Sequence, residues 1–392
     1  MKQVKQRTLL IYILLILFVA GLVLYTVRYA ALGSRWASFP GNLSAYDSGI
    51  PVLGQILDRS GVVLYDAAQG AYSDDGTLRR ATLHAVGDRE GNISTSALQS
   101  FQKQLIGYTL LTGTAGGGGR VYLTLDSRLQ AAAYEALNGA KGTIGVYNYQ
   151  TGEILCMVSS PSFDPADPPE IQDGDTQYDG VYLNRFLSSA FTPGSVFKVV
   201  TAAAALEKLE GVASRTFHCS GSVSGIDTAA GTYVISENDS EVGWSGVGQY
   251  EDLANPCALM TMMGAIAGRG SAREPYLLSK VTSMTGTAAR STGSSGTMHL
   301  WNADTCQALA DMLRNNVTET YGQSRFGDLP VCAKSGTAEV GQGKAPHSWF
   351  AGFVDSDDLP LAFVALVENG GGGSAVAGSA AAQVLRTAAE LL

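Results

Sequence analysis

The chain has 392 residues, of which 45% are hydrophobic and 16% charged, so it favours two folded domains and is far too apolar for a disordered protein. Its 35 acidic and 26 basic residues give a net charge of −9, which argues against a surface that binds nucleic acid. Five cysteines without a CxxC pair and four scattered histidines make neither a disulfide scaffold nor a zinc site, and we expect no metal and no cofactor.

A long apolar run near the N-terminus predicts a membrane anchor. Residues 9–27 carry no charge, and 14 of these 19 residues are Leu, Ile, Val or Phe. As a helix the run is about 28 Å long, close to the roughly 30 Å hydrocarbon core of a bilayer. Three basic residues precede it, so we expect a single-pass protein of the cell membrane with a cytoplasmic tail at residues 1–8 and an extracellular bulk. The alternative is a cleaved signal peptide, whose apolar region is usually shorter and is followed by a small-residue cleavage site.

The rest of the chain divides near residue 120. Polar segments with turn signals predict a small N-terminal module at residues 36–119, and a glycine-rich joint at 114–119 separates it from a domain at 120–392. Apolar periodicity and turn residues predict, in chain order, strands at 62–65 and 121–125, a helix over 129–137, a hairpin of 143–149 and 153–159, helices over 195–209, 253–267 and 305–314, strands at 331–338, 347–354 and 361–368, and a helix over 379–392. Strands flanked by helices at both ends of the domain suggest an α+β fold, with one sheet assembled from both ends.

The first motif whose residue types suit catalysis is the stretch TPGSVFK at residues 192–198. Pro193 and Gly194 interrupt the preceding chain, so a helix is predicted to begin at Ser195. Ser195 and Lys198 then share one helix face, and a lysine in so apolar a helix should have a lowered pKa, which suits it to accept the serine proton. The alternative is a serine helix cap with a lysine that reaches solvent, and the short S-x-x-K pattern alone favours that interpretation.

The second motif is KSG, in the predicted strand at residues 331–338. Lys334 offers a fixed cation, Ser335 or Thr337 a hydroxyl, and Gly336 leaves room for a substrate backbone along the strand edge. The alternative is an ordinary edge strand with a protective lysine. S-x-x-K followed by K-S-G on a strand is much more specific than either motif alone. A glycine-rich turn, GWSGVGQ at residues 243–249, is a weaker candidate for the lining of a cleft.

With these motifs in place, the chain resembles a class B penicillin-binding protein, a membrane-anchored D,D-transpeptidase of peptidoglycan synthesis. The matching stretches lie in family order: GQILDRSG at 54–61, LTLDSRLQ at 123–130, TGEILCMVSSPSFDP at 151–165, LNR at 183–185, PGSVFK at 193–198, GVGQ at 246–249, KSGTAE at 334–339 and HSWFAGF at 347–353. The resemblance implies the fold of penicillin-binding proteins and serine β-lactamases in the second domain, behind a small N-terminal module and one transmembrane helix.

The resemblance also implies roles for individual residues. Ser195 would be acylated, Lys198 would be its base, and Lys334 with Ser335 would hold the terminal carboxylate of the substrate. The backbone N–H groups of Ser195 and Thr337, the residue after Gly336, would form the oxyanion hole. The implied partners are peptidoglycan stem peptides, β-lactams, the membrane and a separate membrane glycan polymerase.

One family motif is not found where it is expected. The family carries S-x-N on a helical segment between the other two motifs, but residues 219–246 look shortened. The lone match, Ser236-Glu237-Asn238, sits in a polar stretch without an apolar helical face, and about one such match is expected by chance. The missing group normally relays a proton between the serine, the lysine and the leaving amine, so its loss would weaken general acid catalysis more than substrate binding.

Three functional hypotheses follow from this sequence. We favour a D,D-transpeptidase that cross-links stem peptides and is also acylated by β-lactams. The shortened segment favours an alternative, a catalytically impaired wall-binding or scaffold protein of the same fold. A serine β-lactamase or sensor is the third, but it needs a deacylating carboxylate, and none is assigned. A role in elongation, division or sporulation stays open.

Overall fold

The structure is a computed structural model that describes residues 2–39, 46–47, 50–51, 53–108, 110–111, 113, 118–172, 174–207, 223–233, 238–284, 286, 288–291, 296–341 and 343–392. Its α-helices are α1 (Lys2–Ala37), α2 (Gly76–Val86), α3 (Ala97–Ser100), α4 (Gln102–Ile106), α5 (Ser127–Leu137), α6 (Lys198–Glu207), α7 (Asp239–Ser245), α8 (Pro256–Ala267), α9 (Ala303–Asn315) and α10 (Ala377–Leu391). Its strands are β1 (Tyr46–Asp47), β2 (Ile50–Pro51), β3 (Gln55–Leu57), β4 (Val63–Asp66), β5 (Ala71–Tyr72), β6 (Gly119–Leu123), β7 (Gly142–Asn148), β8 (Ile154–Ser160), β9 (Ser271–Arg273), β10 (Leu278–Ser283), β11 (Ala288–Ser291), β12 (Thr297–His299), β13 (Val331–Ala338), β14 (His347–Val354) and β15 (Leu361–Val367).

The N-terminal helix α1 contains the predicted membrane span. The apolar segment Val4–Gly33 within it has a mean hydropathy of 2.8, and its side chains are exposed from Val4 to Arg28. A helix that is apolar on every face and has no protein cover is suited to the hydrocarbon core of a bilayer. Its C-terminal part contacts α4 of the N-terminal module, so the folded body lies close to that end of the span.

A five-stranded antiparallel sheet in the order β13-β14-β15-β7-β8 forms the centre of the second domain. It confirms the predicted sheet assembled from both ends of the domain, because β7 and β8 come from its start and the other three from its end. The predicted hairpin is also confirmed: the Asn148 side-chain oxygen accepts the backbone N–H groups of Gln150 and Thr151, both at 2.9 Å, which closes the turn between β7 and β8.

Helices cover both faces of this sheet. On one face α5 and α10 pack against it around buried Phe350, Phe363 and Leu385. On the other face α8 packs against β14, β15 and β7, with buried Trp349 and Met260 in that core. The α8 helix is almost entirely buried, which explains why its residues are apolar on every side. The result is the predicted α+β arrangement, with β13 left at the sheet edge.

A second sheet, which the sequence analysis did not predict, has the order β11-β10-β6-β3-β4-β5. Its strand β6 pairs in parallel with β3 and antiparallel with β10, so strands from both sides of residue 120 share one sheet. The helix α2 of the N-terminal module was not predicted either. It begins at the cap residue Asp75, whose carboxylate accepts the N–H groups of Thr77 and Leu78.

The cysteines of the described residues are buried thiols without disulfide bonds: Cys156, Cys257, Cys306 and Cys332. Burial raises the pKa of Cys257 to about 12, and it raises the pKa of Cys306 to about 11. Thiols held so far into the protonated form are poor nucleophiles at neutral pH. They therefore act as small apolar core residues, and the fifth cysteine, Cys219, lies outside the described residues.

Candidate active site

Ser195 lies on a tight turn that leads directly into α6. The turn is a 3₁₀ helix, Gly194–Phe197, and Lys198 is the first residue of the α-helix that follows it. The predicted helix over 195–209 is thus present from 195 to 207 with a 3₁₀ first turn, and residues 208 and 209 lie outside the described part. Side chains three residues apart eclipse each other in a 3₁₀ helix, so Ser195 and Lys198 project from the same side of the chain.

The strand β13 packs directly against this turn. A Cβ atom on Gly336 would lie 2.6 Å from the Pro193 carbonyl oxygen and 3.1 Å from the Val196 nitrogen, so only a residue without a side chain permits this approach. One strand further in, the Trp349 Nε1–H group donates to the Thr192 carbonyl oxygen at 2.9 Å. The two predicted motifs, S-x-x-K and K-S-G, are therefore brought together by backbone contact.

The glycine-rich segment at residues 246–249 supports the turn from another side. The Gly194 N–H group donates to the Gly248 carbonyl oxygen at 2.8 Å. Gly248 has a φ of +73°, and a Cβ atom there would lie 2.6 Å from Phe197 Cβ and would collide with the Gly194 carbonyl oxygen. The segment at residues 243–249, expected to line a cleft, thus contacts the backbone of the turn that carries Ser195 through Gly248.

The outer edge of β13 faces the site. Ser335 donates its backbone N–H to the Tyr321 hydroxyl at 3.0 Å, on the side of the strand away from β14. Residues two apart direct their backbone groups to the same side of a strand, so the N–H of Thr337 points to this edge as well. The Thr337 carbonyl oxygen lies 2.8 Å from the position of a Cβ on Gly194, which puts the Ser195 turn at the same edge.

Lys334 and Ser335 are half-buried at this edge, while Thr337 is exposed. The Lys334 ammonium donates to the Ser335 carbonyl oxygen at 2.8 Å and lies 3.5 Å from the Tyr321 hydroxyl. Across the described ranges it forms no ion pair with a carboxylate. The Thr337 hydroxyl accepts the Gly373 N–H at 3.2 Å. A cation without a carboxylate partner among the described residues, beside a hydroxyl whose hydrogen is available to donate, is suited to an anionic ligand.

Lys198 does not have the surroundings that the sequence predicted. We expected an apolar helix to remove its ammonium from water, but Lys198 is exposed. The reason is that α6 buries only Val199 and Ala203, and Leu206 keeps 40% of its surface exposed. The described residues include no hydrogen bond between Lys198 and Ser195. The expectation of a dry lysine is therefore wrong for this conformation.

The lone S-x-N match is only partly within the described residues. Ser236 and Glu237 fall outside them, whereas Asn238 is the cap of α7. Its side-chain oxygen accepts the Ser240 N–H at 2.9 Å. No helical pattern is evident in the sequence here because α7 has only seven residues. In this position the Asn238 oxygen serves the helix terminus.

Tyr321 is the site residue that the sequence analysis missed. It ends a π-helical segment, Asn316–Tyr321, which follows α9 and runs along the edge of β13. Its hydroxyl lies 3.0 Å from the Ser335 Oγ atom. No motif marks this segment, which falls between the predicted helix over 305–314 and the predicted strand at 331–338, so only the folded structure reveals the contact.

Comparison with known proteins adds independent findings. The sequence profile of the penicillin-binding protein transpeptidase domain matches residues 142–223 and 217–389, which is more than half of the chain. The two matched ranges meet at residues 217–223, at the beginning of the segment that looks shortened. The match extends over both motifs and over all five strands of the central sheet.

Individual relatives are distant but match over most of their length. Peptidoglycan D,D-transpeptidase PbpA of Mycolicibacterium smegmatis is 25% identical over 377 residues, which cover 74% of this chain and 76% of the relative. The ceftriaxone acyl-enzyme complex of penicillin-binding protein A from M. tuberculosis superposes with a TM-score of 0.68 at 20% identity, over 86% of this chain and 98% of that chain. The D,D-transpeptidase domain of a peptidoglycan glycosyltransferase from Eggerthella lenta superposes with a TM-score of 0.64 at 22% identity, over 86% of this chain and 98% of that chain. These likenesses confirm the predicted fold.

Proposed function

Because the chain belongs to the penicillin-binding protein transpeptidase family, we propose that it is a peptidoglycan D,D-transpeptidase that forms an acyl-enzyme on Ser195. The observation that carries the proposal is the contact between the two motifs. The Ser195 turn lies against Gly336 of β13, so a carbonyl bound along the strand edge is within reach of the serine. We infer that β-lactams acylate the same serine.

The proposed reaction transfers an acyl group twice. Ser195 Oγ attacks the carbonyl carbon of the penultimate D-Ala, and neutral Lys198 accepts the serine proton. The C–N bond to the terminal D-Ala then breaks, and the departing nitrogen takes that proton. An amine of a second stem peptide attacks the resulting ester, and Ser195 regains a proton as the new amide forms. In a β-lactam the corresponding C–N bond opens, but the nitrogen stays attached.

Two backbone groups are proposed to stabilise the oxyanion of each tetrahedral intermediate. The Ser195 N–H lies in the first turn of a helix, where backbone donors lack an intrahelical partner. The Thr337 N–H points to the open edge of β13, as the alternation from Ser335 requires. Removal of one such donor in other enzymes costs about 10²–10³ in rate, so this pair would contribute a large share of catalysis.

Recognition of the substrate is proposed to depend on its terminal carboxylate. Lys334 supplies a cation and Ser335 a hydroxyl at the half-buried strand edge. Charge-assisted hydrogen bonds of this kind are roughly twice as strong as neutral ones. Stem peptides that end in D-Ala and β-lactams both carry a carboxylate, so a single subsite would serve both ligands.

A catalytically impaired scaffold is the second candidate function. It is favoured by the exposed Lys198, which has no hydrogen bond to Ser195 within the described part of the chain. A lysine that does not contact the serine hydroxyl is poorly placed to accept its proton. Without the S-x-N relay, protonation of the leaving amine would also be slow. We expect these deficits to reduce transpeptidation far more than β-lactam acylation, because ring strain drives the opening of the lactam.

Labelling of the full chain by a fluorescent penicillin tests the proposal. We expect slow, stoichiometric labelling, with the adduct at Ser195 in a peptide map, and no labelling of Ser195→Ala. The matched control is Ser356→Ala, in the turn after β14, which should label as the wild type does. Absence of labelling in folded protein would contradict the proposed enzyme activity and favour the scaffold function.

The cellular setting is proposed from α1. The apolar segment Val4–Gly33 would anchor the protein in the cell membrane, with the catalytic domain outside, where stem peptides are found. We infer that a separate membrane glycan polymerase supplies the strands to be cross-linked. Co-purification from detergent extracts, compared with a variant that lacks residues 2–37, would test whether the anchor carries this association.

A further inference from the structure

The Tyr321 hydroxyl contacts three groups of the K-S-G strand at once. It lies 3.0 Å from the Ser335 Oγ atom, 3.0 Å from the Ser335 backbone nitrogen and 3.5 Å from the Lys334 ammonium. These are the two side chains to which the proposed function assigns the substrate carboxylate. Tyr321 is thus in contact with the carboxylate subsite although it belongs to neither motif.

The surrounding structure holds Tyr321 in this position. Its ring packs edge-on against buried Phe350, with 5.3 Å between the ring centroids and an interplanar angle of 71°. At the start of the same π-helical segment, the Asn316 side-chain amide donates to the Ala333 carbonyl oxygen at 3.3 Å. The segment is therefore fixed to the edge of β13 at two points. Single π-helical turns are rare and are frequent at functional sites.

The hydrogen bonds around the Tyr321 oxygen determine where its proton points. The Ser335 N–H and the Lys334 ammonium are both donors, so the phenol oxygen accepts from them. Its own hydrogen is then directed to the Ser335 Oγ atom. Since Ser335 Oγ accepts that bond, the hydrogen of the serine hydroxyl remains available to donate to another group. The chain of bonds presents Ser335 as a donor toward the open edge, which is what an anion requires.

We propose that Tyr321 is a positioning residue for carboxylate recognition, which orients the Ser335 hydroxyl and the Lys334 ammonium toward the ligand. This inference rests on the proposed function. It adds a third residue to the carboxylate subsite and assigns it a role through Ser335 and Lys334. Loss of the Tyr321 hydroxyl should therefore weaken ligands that carry a free carboxylate and leave ligands without one unaffected.

The test compares penicillin G with its methyl ester, in which the carboxylate is masked. Tyr321→Phe removes only the hydroxyl and keeps the ring against Phe350. We expect the second-order rate of acylation by the acid to fall about tenfold, while the rate with the ester and the melting temperature stay close to those of the wild type. The matched control is Tyr134→Phe, a half-buried tyrosine of α5 on the same core, which should change neither rate.

A double variant separates positioning from a structural role. Since Tyr321 acts through Ser335 as well as Lys334, the loss of acylation rate in Tyr321→Phe combined with Ser335→Ala should be smaller than the sum of the two single losses. Equal losses with the acid and the ester, or full additivity of the two substitutions, would overturn the proposal. So would an unchanged rate of Tyr321→Phe with the acid.

Failure of the proposed function would be recognised separately. If the wild type is not acylated at all, reversible binding of fluorescent penicillin to Ser195→Ala is measured with and without Tyr321→Phe. A tenfold weaker binding in the double variant would support the role of Tyr321 without catalysis. Equal binding would overturn it.

Discussion

At the scale of single residues, His84 is a titratable group held in a fully buried position. It is 1% exposed, and its Nε2–H group donates to the Val181 carbonyl oxygen at 2.7 Å. The Nδ1 atom has no hydrogen-bond partner among the described residues. Burial lowers the pKa of His84 to about 4, the Val181 bond opposes this shift, and nearby Arg185 adds to it. The neutral imidazole is therefore part of the folded state.

Stability is expected to fall as the pH falls from about 6.5 to about 4, because the unfolded histidine binds a proton in this range and the folded one does not. The contribution of neutral His84 to the free energy of unfolding is fully present above pH 6.5, and it amounts to as much as about 3 kcal/mol. His84→Gln keeps a donor for Val181 but does not titrate. Melting temperatures across this range should show a shallower slope for that variant.

The exposed His299 provides the control for this prediction. His299→Gln should keep the wild-type slope between pH 6.5 and 4. If His84→Gln also kept it, the acid sensitivity would come from other groups, and the burial of His84 would not be its cause.

The sequence predicts candidate site residues where two short motifs occur in the same chain. Ser195 and Lys334 are candidate site residues because S-x-x-K and K-S-G occur together, and the fold brings the two motifs into contact. Tyr321 was not predicted, since its contact with Ser335 comes from tertiary packing of a segment without local pattern. The surroundings of Lys198 were predicted wrongly for a related reason: an apolar sequence shows that a helix can be buried, not that a neighbour covers it.

At the scale of elements, the long strands and helices were predictable because each presents many residues to one core. All five central strands have seven or eight residues, and β14 and β15 carry continuous apolar runs. The second sheet was not predictable, since β3 has three residues and β5 only two, too few to carry a periodic pattern. Its parallel pairing of β3 with β6 joins segments far apart in the chain.

The turn that carries Ser195 should depend on the glycine-rich segment below it. Gly248→Ala would introduce a Cβ atom 2.6 Å from Phe197 Cβ at a φ of +73°. Relief of this overlap must displace the turn from its position beside β13. We expect a loss of about 2–4 kcal/mol in the free energy of unfolding and at least a tenfold loss in the rate of penicillin labelling.

Substitution of Gly225 is the control that distinguishes the steric overlap at Gly248 from the strain of a left-handed backbone. Gly225 has a similar φ of +83°, but no atom of the described residues lies within 4 Å of the position of its Cβ. Gly225→Ala should cost only the strain of the left-handed conformation, about 1–2 kcal/mol, and should label at the wild-type rate. Equal labelling of both variants would mean that Gly248 does not support the turn that carries Ser195.

At the scale of the whole molecule, aromatic residues mark one end of the anchor. Tyr25 and Tyr29 stack at 6.2 Å near the end of the apolar span, and Trp36 and Phe39 follow it with 50% and 65% of their surfaces exposed. Tyr and Trp are enriched at the membrane–water interface, where their rings occupy the headgroup region. The contact of α1 with α4 begins at this end, so the body is expected to lie directly above the membrane surface.

The orientation of the anchor is the last prediction, and the charges around it set its direction. Three basic residues precede the span (Lys2, Lys5 and Arg7), and two follow its uncharged part (Arg28 and Arg35). The side with more basic residues usually stays in the cytoplasm. We expect the N-terminus in the cytoplasm and residues 36–392 outside. Protease added to intact, wall-stripped cells should digest the bulk of the chain and leave a short N-terminal fragment that an epitope tag detects. A cytoplasmic marker enzyme, which must stay intact, reports on leakage. Protection of the bulk from protease would mean that the orientation is the opposite one. A mature N-terminus after residue 30 would mean that the segment is a cleaved signal peptide.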